Sequence, residues 1–506
     1  GIEIDYSKFT PVTGTMRDKL PTAARDHVLV GDLSQIGIGS FSQIPITNTN
    51  STIAVPMFLF DGKLLNLSRW PNSNISLDWP RVNTINRGYC TRYPADDSMN
   101  GTGLMKVSYT DNRPASWSYN LSDIIYLGYW RFDWYAEALY ATLDKTAKTL
   151  EAPSAMYYGA DGNNRPFRVF NLLEEIDEPG EWYIDRTANK MYFYPYETAD
   201  AAPKFKMTKK NFDLVTMVNT SYVTLRGIEL TAGKKMAVSI SGGTGNLIDG
   251  CDINTFESMG ISISGGLENG ITNSEIYDCG TGGVFLDGGD RENIVPAGNY
   301  VHNNTLHDWS LMKASYGPGV QLDGVGNTVS HNEFYNAPHA AIIFNGVENI
   351  MEYNVFHDVV MHAADMGAIY TGRDLSDHGN IVRYNYFYNI GNQLGSVNAS
   401  NAVFTDDASC DLVCFGNVFG QGIQSGEALN VHGGMNNIFR NNLFVDVPKI
   451  MWTVNWQDGR FENSVSKGDA GYDKAAEQTL KNSWEEIKGN QAYYDRWPWL
   501  KSMEDM

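Results

Sequence analysis

Three aspartates have the types and spacing to do acid–base chemistry. Asp365 opens the strand-like segment ADMGAIYTG, and Asp406 and Asp407 close AVFTDD in the following repeat unit. Carboxylates gathered in one cleft repel each other, so one is held protonated while the other stays ionised. Hydrolysis of a glycosidic bond requires that division, and the carboxylate separation decides retention or inversion. The duller readings are a turn cap for Asp365 and a turn or calcium site for Asp406–Asp407. Asp407 and five further side chains are candidates for holding a substrate: His339 in APHAAIIF, Tyr370, Arg373, His432 in EALNVHG, and Asp323 in GVQLDG. Arg373 suits a sugar carboxylate or sulfate, and equally a salt bridge to Asp374 or Asp377.

The elements that must position these groups announce themselves through a recurring asparagine. Asn304, Asn332, Asn354, Asn385, Asn417 and Asn442 each stand two residues before Leu or Phe, at intervals of roughly 20–30 residues. A short β-rich unit repeated at such a period signals a solenoid, and one asparagine per turn specifies a right-handed parallel β-helix. Each unit also carries a second apolar strand. Aligning GGVFLDGG, GVQLDG, AAIIFNG, GAIYTG, AVFTDD and EALNVHG puts Asp287, Asp323, Asn345, Gly372, Asp406 and His432 in one column at the strand end. Adjacent parallel strands lie ~4.8 Å apart, so this column predicts a polar groove edge. One difficulty follows. An extended chain from Asp365 to Gly372 spans ~23 Å, so Asp365 meets Asp406 only if a bend at Met366–Gly367 folds it back.

The predicted organisation has four parts. Residues 1–30 form a connecting segment with a short helical pattern, and 31–204 alternate with period two as an antiparallel β-sandwich inserted before the coils. Residues 205–455 form the β-helix. Residues 456–506 form a helical tail whose stripe Ala476, Leu480, Trp484 and Ile487 is expected to pack across the last coil. The fold class is therefore all-β. A net charge of −21 disfavours nucleic acid or an anionic membrane surface as partner, and no apolar run approaches the ~18 residues of a membrane-spanning helix. No cofactor is expected, calcium being the exception the aspartates leave open. The five cysteines are too few for a disulfide framework and read as buried thiols, with Cys410 and Cys414 close enough to pair across a loop.

The stretches GGDRENIVPAGNYVHNNTLHDWS, GVQLDGVGNTVSHNEFYNAPHAAIIFNGVENIMEYNVFHDV, ADMGAIYTGRDLSDHGNIVRYNYF and FTDDAS, with LSRWPN and LLEEIDEPGEWYIDRTANKMYFYP upstream, resemble glycoside hydrolase family 141 over nearly the whole chain. The resemblance implies a secreted enzyme, extracellular or periplasmic, acting on a fucose-containing pectic glycan or on xylan, with Asp365 and Asp406 as catalytic pair. Three departures stand out. Met366 replaces the usual alanine, Thr405 replaces a leucine and is expected to make the site more polar, and about a hundred preceding residues are wanting. From the last we expect a separate N-terminal polypeptide to supply the first coils. A polysaccharide lyase acting on a uronate polymer with calcium, and a non-catalytic extracellular structural or adhesive β-helix, are the competing expectations.

Overall fold

The structure, a computed structural model, describes the chain except residues 48–51, 75, 94–99, 199, 201, 392–399, 424–426, 457–459, 467–473 and 505–506. From Val215 to Val454 the chain winds through three parallel sheets of ten, nine and nine strands, each coil giving one strand to each sheet. It is a right-handed parallel β-helix. The antiparallel region before it forms two curved sheets, and the chain ends in short helices at Arg460–Ser466, Lys474–Ile487 and Gln491–Arg496.

Side-chain alternation explains the coil interior. In Gly282–Asp287, Val284 and Leu286 point inward and are fully buried, whereas Phe285 and Asp287 face out. Strand spacing then dictates how inward rings meet. Phe334, Phe356, Phe387, Phe419 and Phe444 stack face to face with centroids 5.1, 4.8, 5.1 and 5.0 Å apart. Burying each such ring contributes about 2–3 kcal/mol.

The asparagine ladder is present and continuous. Each Oδ1 accepts from the backbone N–H of the asparagine one coil earlier: Asn304 to Asn332 at 2.9 Å, Asn332 to Asn354 at 2.9 Å, Asn354 to Asn385 at 2.9 Å and Asn385 to Asn417 at 3.0 Å. A second ladder, unread in the sequence, lies five residues earlier in each coil. Asn269, Asn299, Asn327 and Asn349 donate their N–H groups in turn to Asn299, Asn327, Asn349 and Asn380 at 2.9–3.1 Å. The two ladders flank the second sheet and satisfy buried turn amides that would otherwise lack partners.

Two sequence expectations need correction. Residues 1–30 are not merely a connector: Ile2–Glu3 pairs with Phe205–Met207 and Thr10–Pro11 pairs with Leu29–Asp32, so both ends of the segment are woven into the first antiparallel sheet. The helical tail does not lie across the last coil, where Met451 and Trp452 stay 40% and 52% exposed. It runs along the side. Leu480, Trp484 and Ile487 bury against Val325, Val347, Leu375 and Cys410, one turn residue from each of four coils. The side chain of Ala476 lies outside the described residues. All five cysteines are free and buried, Cys410 and Cys414 included. No described helix is long and apolar enough to cross a membrane.

The antiparallel sheets pack face to face. Phe58, Phe60, Trp182 and Phe193 of one meet Ile125, Leu127 and Ala138 of the other. Alternate residues of the same strand, such as Tyr126, fill a second core with Trp117 and Phe167.

Candidate active site

The ten-stranded sheet brings the predicted column together. Ser264 pairs with Asp287 and Gly372 with Asp406. Leu286 pairs with Leu322, Leu322 with Phe344 and Thr405 with Val431, placing Asp323, Asn345 and His432 one residue further on in the same row. The tail begins just past this row, where Trp456 lies 6.0 Å from the His432 ring.

Four side chains converge at the Asp406 end. The Tyr370 hydroxyl donates to Asp406 Oδ2 at 2.8 Å, and His432 Nδ1 lies 2.8 Å from Asp406 Oδ1 and 3.1 Å from Asp407 Oδ1. Arg373 Nε donates to Asp407 Oδ2 at 2.5 Å. Arg373 is thus paired with Asp407, while Asp374 and Asp377 both meet Arg291. Burial alone would lower the His432 pKa, but the two carboxylates outweigh it and raise it to about 9. Burial likewise opposes ionisation of Asp407, yet His432 and Arg373 hold its carboxyl down at about 2. The imidazolium is therefore clamped between Asp406 and Asp407.

Asp365 belongs to the same electrostatic neighbourhood. Burial, then repulsion from Asp406, pushes its carboxyl up to about 7, with His432 and Arg373 acting in the opposite sense. The chain folds sharply at the start of this strand. Asp365 has a left-handed φ of 54°, and a Cβ on Gly367 would lie 2.4 Å from the Ile369 carbonyl oxygen and 2.9 Å from Phe404 Cβ. The expected bend at Met366–Gly367 is absent: Met366–Gly372 is one strand paired in register with Ser400–Asp406, and the turn in the chain falls at Asp365 itself.

The remaining candidates stand further off. His339 is fully buried, and its Nε2 accepts from the Tyr316 backbone N–H at 3.3 Å. Burial pushes its pKa down to about 3, so it is a neutral support beneath Tyr316. Asp323 accepts from Gln321 Nε2 at 2.8 Å and lies three strand steps from Asp406, roughly 14 Å along the groove. Thr405 does not add polarity to the site. It is buried, and its hydroxyl donates to the Asn430 carbonyl at 3.3 Å.

Asp406, Asp407 and His432 offer ligand atoms within 4.8 Å of one another. Their chemistry fits calcium poorly, because that ion takes six to eight oxygen ligands. Here one of three donors is an imidazole nitrogen, and Asp407 is already paired with Arg373. The set suits a shared proton better.

Sequence reasoning missed the aromatic wall. Tyr316 lies 6.5 Å from Tyr370, Trp134 lies 6.3 Å from Tyr316, and Tyr158 packs 5.1 Å from Trp134. The available signal was the run Phe132-Asp133-Trp134-Tyr135, which breaks the period-two alternation and so belongs to a turn. A cavity of about 470 Å³ exists elsewhere on the domain boundary, lined by residues such as Met57, Trp79, Met312 and His362 and by none of the candidate site residues. Among its charged wall residues, Arg168 is bonded to the loop carbonyls of Pro71 and Asn72 at 3.0 and 3.1 Å, and Arg69, Asp278 and Asp308 line it too.

Residues 213–315 match the family model for the right-handed beta helix region. A solved structure named "Glycoside hydrolase" superposes with a TM-score of 0.56 at 13% identity, over 88% of this chain and 81% of that one. The complex of XylC with xylose matches at 14% identity and a TM-score of 0.33, over 86% and 58%. An alginate lyase from Paenibacillus sp. str. FPU-7 matches at 17% and 0.26, over 46% and 92%. No curated protein matches. Of these three structures the first carries weight, and at its identity what it establishes is the fold.

Proposed function

We propose that the chain is a secreted glycoside hydrolase acting on a complex polysaccharide. Asp365 acts as general acid and Asp406 as base or nucleophile. One observation carries the reading: a carboxyl held up to about 7 in a half-buried bend shares its field with a second carboxylate that accepts from Tyr370 and pairs with His432. The raised group keeps its proton near neutrality for the leaving oxygen, while the other is oriented for the anomeric carbon or for a water. Asp407, Arg373 and His432 position Asp406, and none of them needs to touch the sugar to do so. The fold shared with the structure named as a glycoside hydrolase agrees with this reading.

The test is reducing-end release from fucosylated pectic glycan and xylan by the native protein and by Asp365→Asn and Asp406→Asn. Each variant is expected to lose at least ~10³-fold in kcat/KM. Retained activity in both variants sinks the assignment. A product with near-ultraviolet absorbance from a uronate polymer replaces hydrolysis with elimination.

A further inference from the structure

We propose that the antiparallel domain supplies part of the binding site, its Phe132–Tyr135 turn and Tyr316 forming a platform on which a neutral sugar ring stacks. The proposal rests on the hydrolase reading and adds the class of sugar. The rings are contiguous: Phe132 and Trp134 stack at 4.9 Å, and Trp134 meets Tyr316 edge-on at 6.3 Å. Tyr316 meets Tyr370, whose hydroxyl reaches Asp406.

Two hydrogen bonds tie the turn to the coils beside the reacting groups. Ala364, the residue before Asp365, donates its N–H to the Asp133 carbonyl at 2.9 Å. Ala136 donates its N–H to the hydroxyl of Ser315, the residue before Tyr316, at 3.0 Å. The Asp133 carboxylate is ion-paired with Arg165, which fixes the turn from behind.

The cluster is the partly exposed rim of a small core of Cys90, Tyr93, Tyr135 and Tyr158. Tyr135 and Tyr158 are buried, yet Phe132, Trp134 and Tyr316 remain part-exposed on an anchored turn. Aromatic surfaces held next to acid–base groups are the usual lining of a ligand site, and the C–H face of a pyranose packs on such rings while its hydroxyls stay outward. The sugar class follows from charge. Arg373, the candidate partner for a sugar carboxylate, is taken by Asp407, and the groove row beyond carries Asp287 and Asp323. A uronate would meet repulsion there. A neutral glycosyl unit would not.

The experiment titrates neutral xylo-oligosaccharide and fucosylated oligosaccharide, and anionic oligogalacturonide, into the Asp406→Asn protein. It then repeats this with Trp134→Ala and Trp134→Phe added. A neutral probe should bind on the order of ten-fold more weakly with alanine and recover with phenylalanine. On the active background the loss should appear in KM more than in kcat. Unchanged affinity with alanine overturns the platform while leaving the hydrolase reading intact, provided Asp406→Asn still abolishes turnover. Tighter binding of oligogalacturonide than of every neutral probe overturns the sugar class. Absence of both binding and turnover with all probes overturns the hydrolase reading and the platform with it.

Discussion

His432 is held between two carboxylates, and the sign of that interaction sets how the site responds to pH. Its folded pKa, about 9, lies above its ordinary ~6.5, so its stabilising contribution is complete below ~6.5 and disappears as pH rises through about 9. Asp407 is depressed to about 2, so its contribution is present above ~3.9 and lost as pH falls towards 2. The cluster should therefore be most stabilising between roughly pH 4 and 6.5. Denaturation midpoints should fall between pH 7 and 9.5 in the native protein and fall less in His432→Asn. Parallel slopes would refute the assignment. Asp365 makes a separate prediction for activity. Its acid form is lost as pH rises through about 7, so kcat/KM should decline above neutrality. A limb that persisted unchanged in the residual activity of Asp365→Asn would have to belong to another group.

At the scale of elements, the coils depend on paired asparagines. Asn385 accepts from the Asn354 backbone at 2.9 Å and donates to the Met351 carbonyl at 3.0 Å, all within buried turns. Asn385→Ala leaves buried amide groups unpaired and should cost about 2–4 kcal/mol, read as a lower denaturant midpoint at unchanged slope. A loss under ~0.5 kcal/mol would show that backbone pairing alone holds the turns. The ladder was legible because it puts the same residue at the same place in every coil, and its strand register placed Asp406 and His432 in one row. The second ladder, through Asn299, Asn327 and Asn349, carries the same kind of mark, a buried Val301, Val329 or Met351 two residues on, but these aliphatic positions vary more than the Leu or Phe of the first. The turn at Asp365 was not legible, since a left-handed φ on aspartate has no pattern of its own. The Trp134 wall was not legible. It comes from a contact between segments some 180 residues apart in the chain, Ala136 and Ser315.

At the scale of the molecule, the row of candidate site residues lies between the antiparallel domain and the C-terminal tail. The antiparallel domain flanks the Asp365 side of the ten-stranded sheet, and the tail borders the Asp406 side. The tail holds by its apolar stripe and by bonds such as Leu375 N–H to Ser483 Oγ at 2.9 Å and Trp499 Nε1 to Asp411 Oδ2 at 3.2 Å. Trp484→Ala should weaken that docking by ~3–5 kcal/mol, with the coils retained. Hydrogen exchange should then quicken at Leu375 and through the tail helices, while the Asn332–Asn354 amides stay protected. Uniform loss of protection would mean that the tail is needed for the coils to form. A stack of coils joined by one hydrogen-bonded layer per turn behaves mechanically like a spring, most compliant in bending and twisting about its axis. Because Ile487 and its neighbours are fastened to successive turns on one flank only, the tail acts as a splint. The antiparallel domain braces the opposite flank through Ala364 and Ser315, so the Asp365 and Asp406 sides are each held from outside the coils.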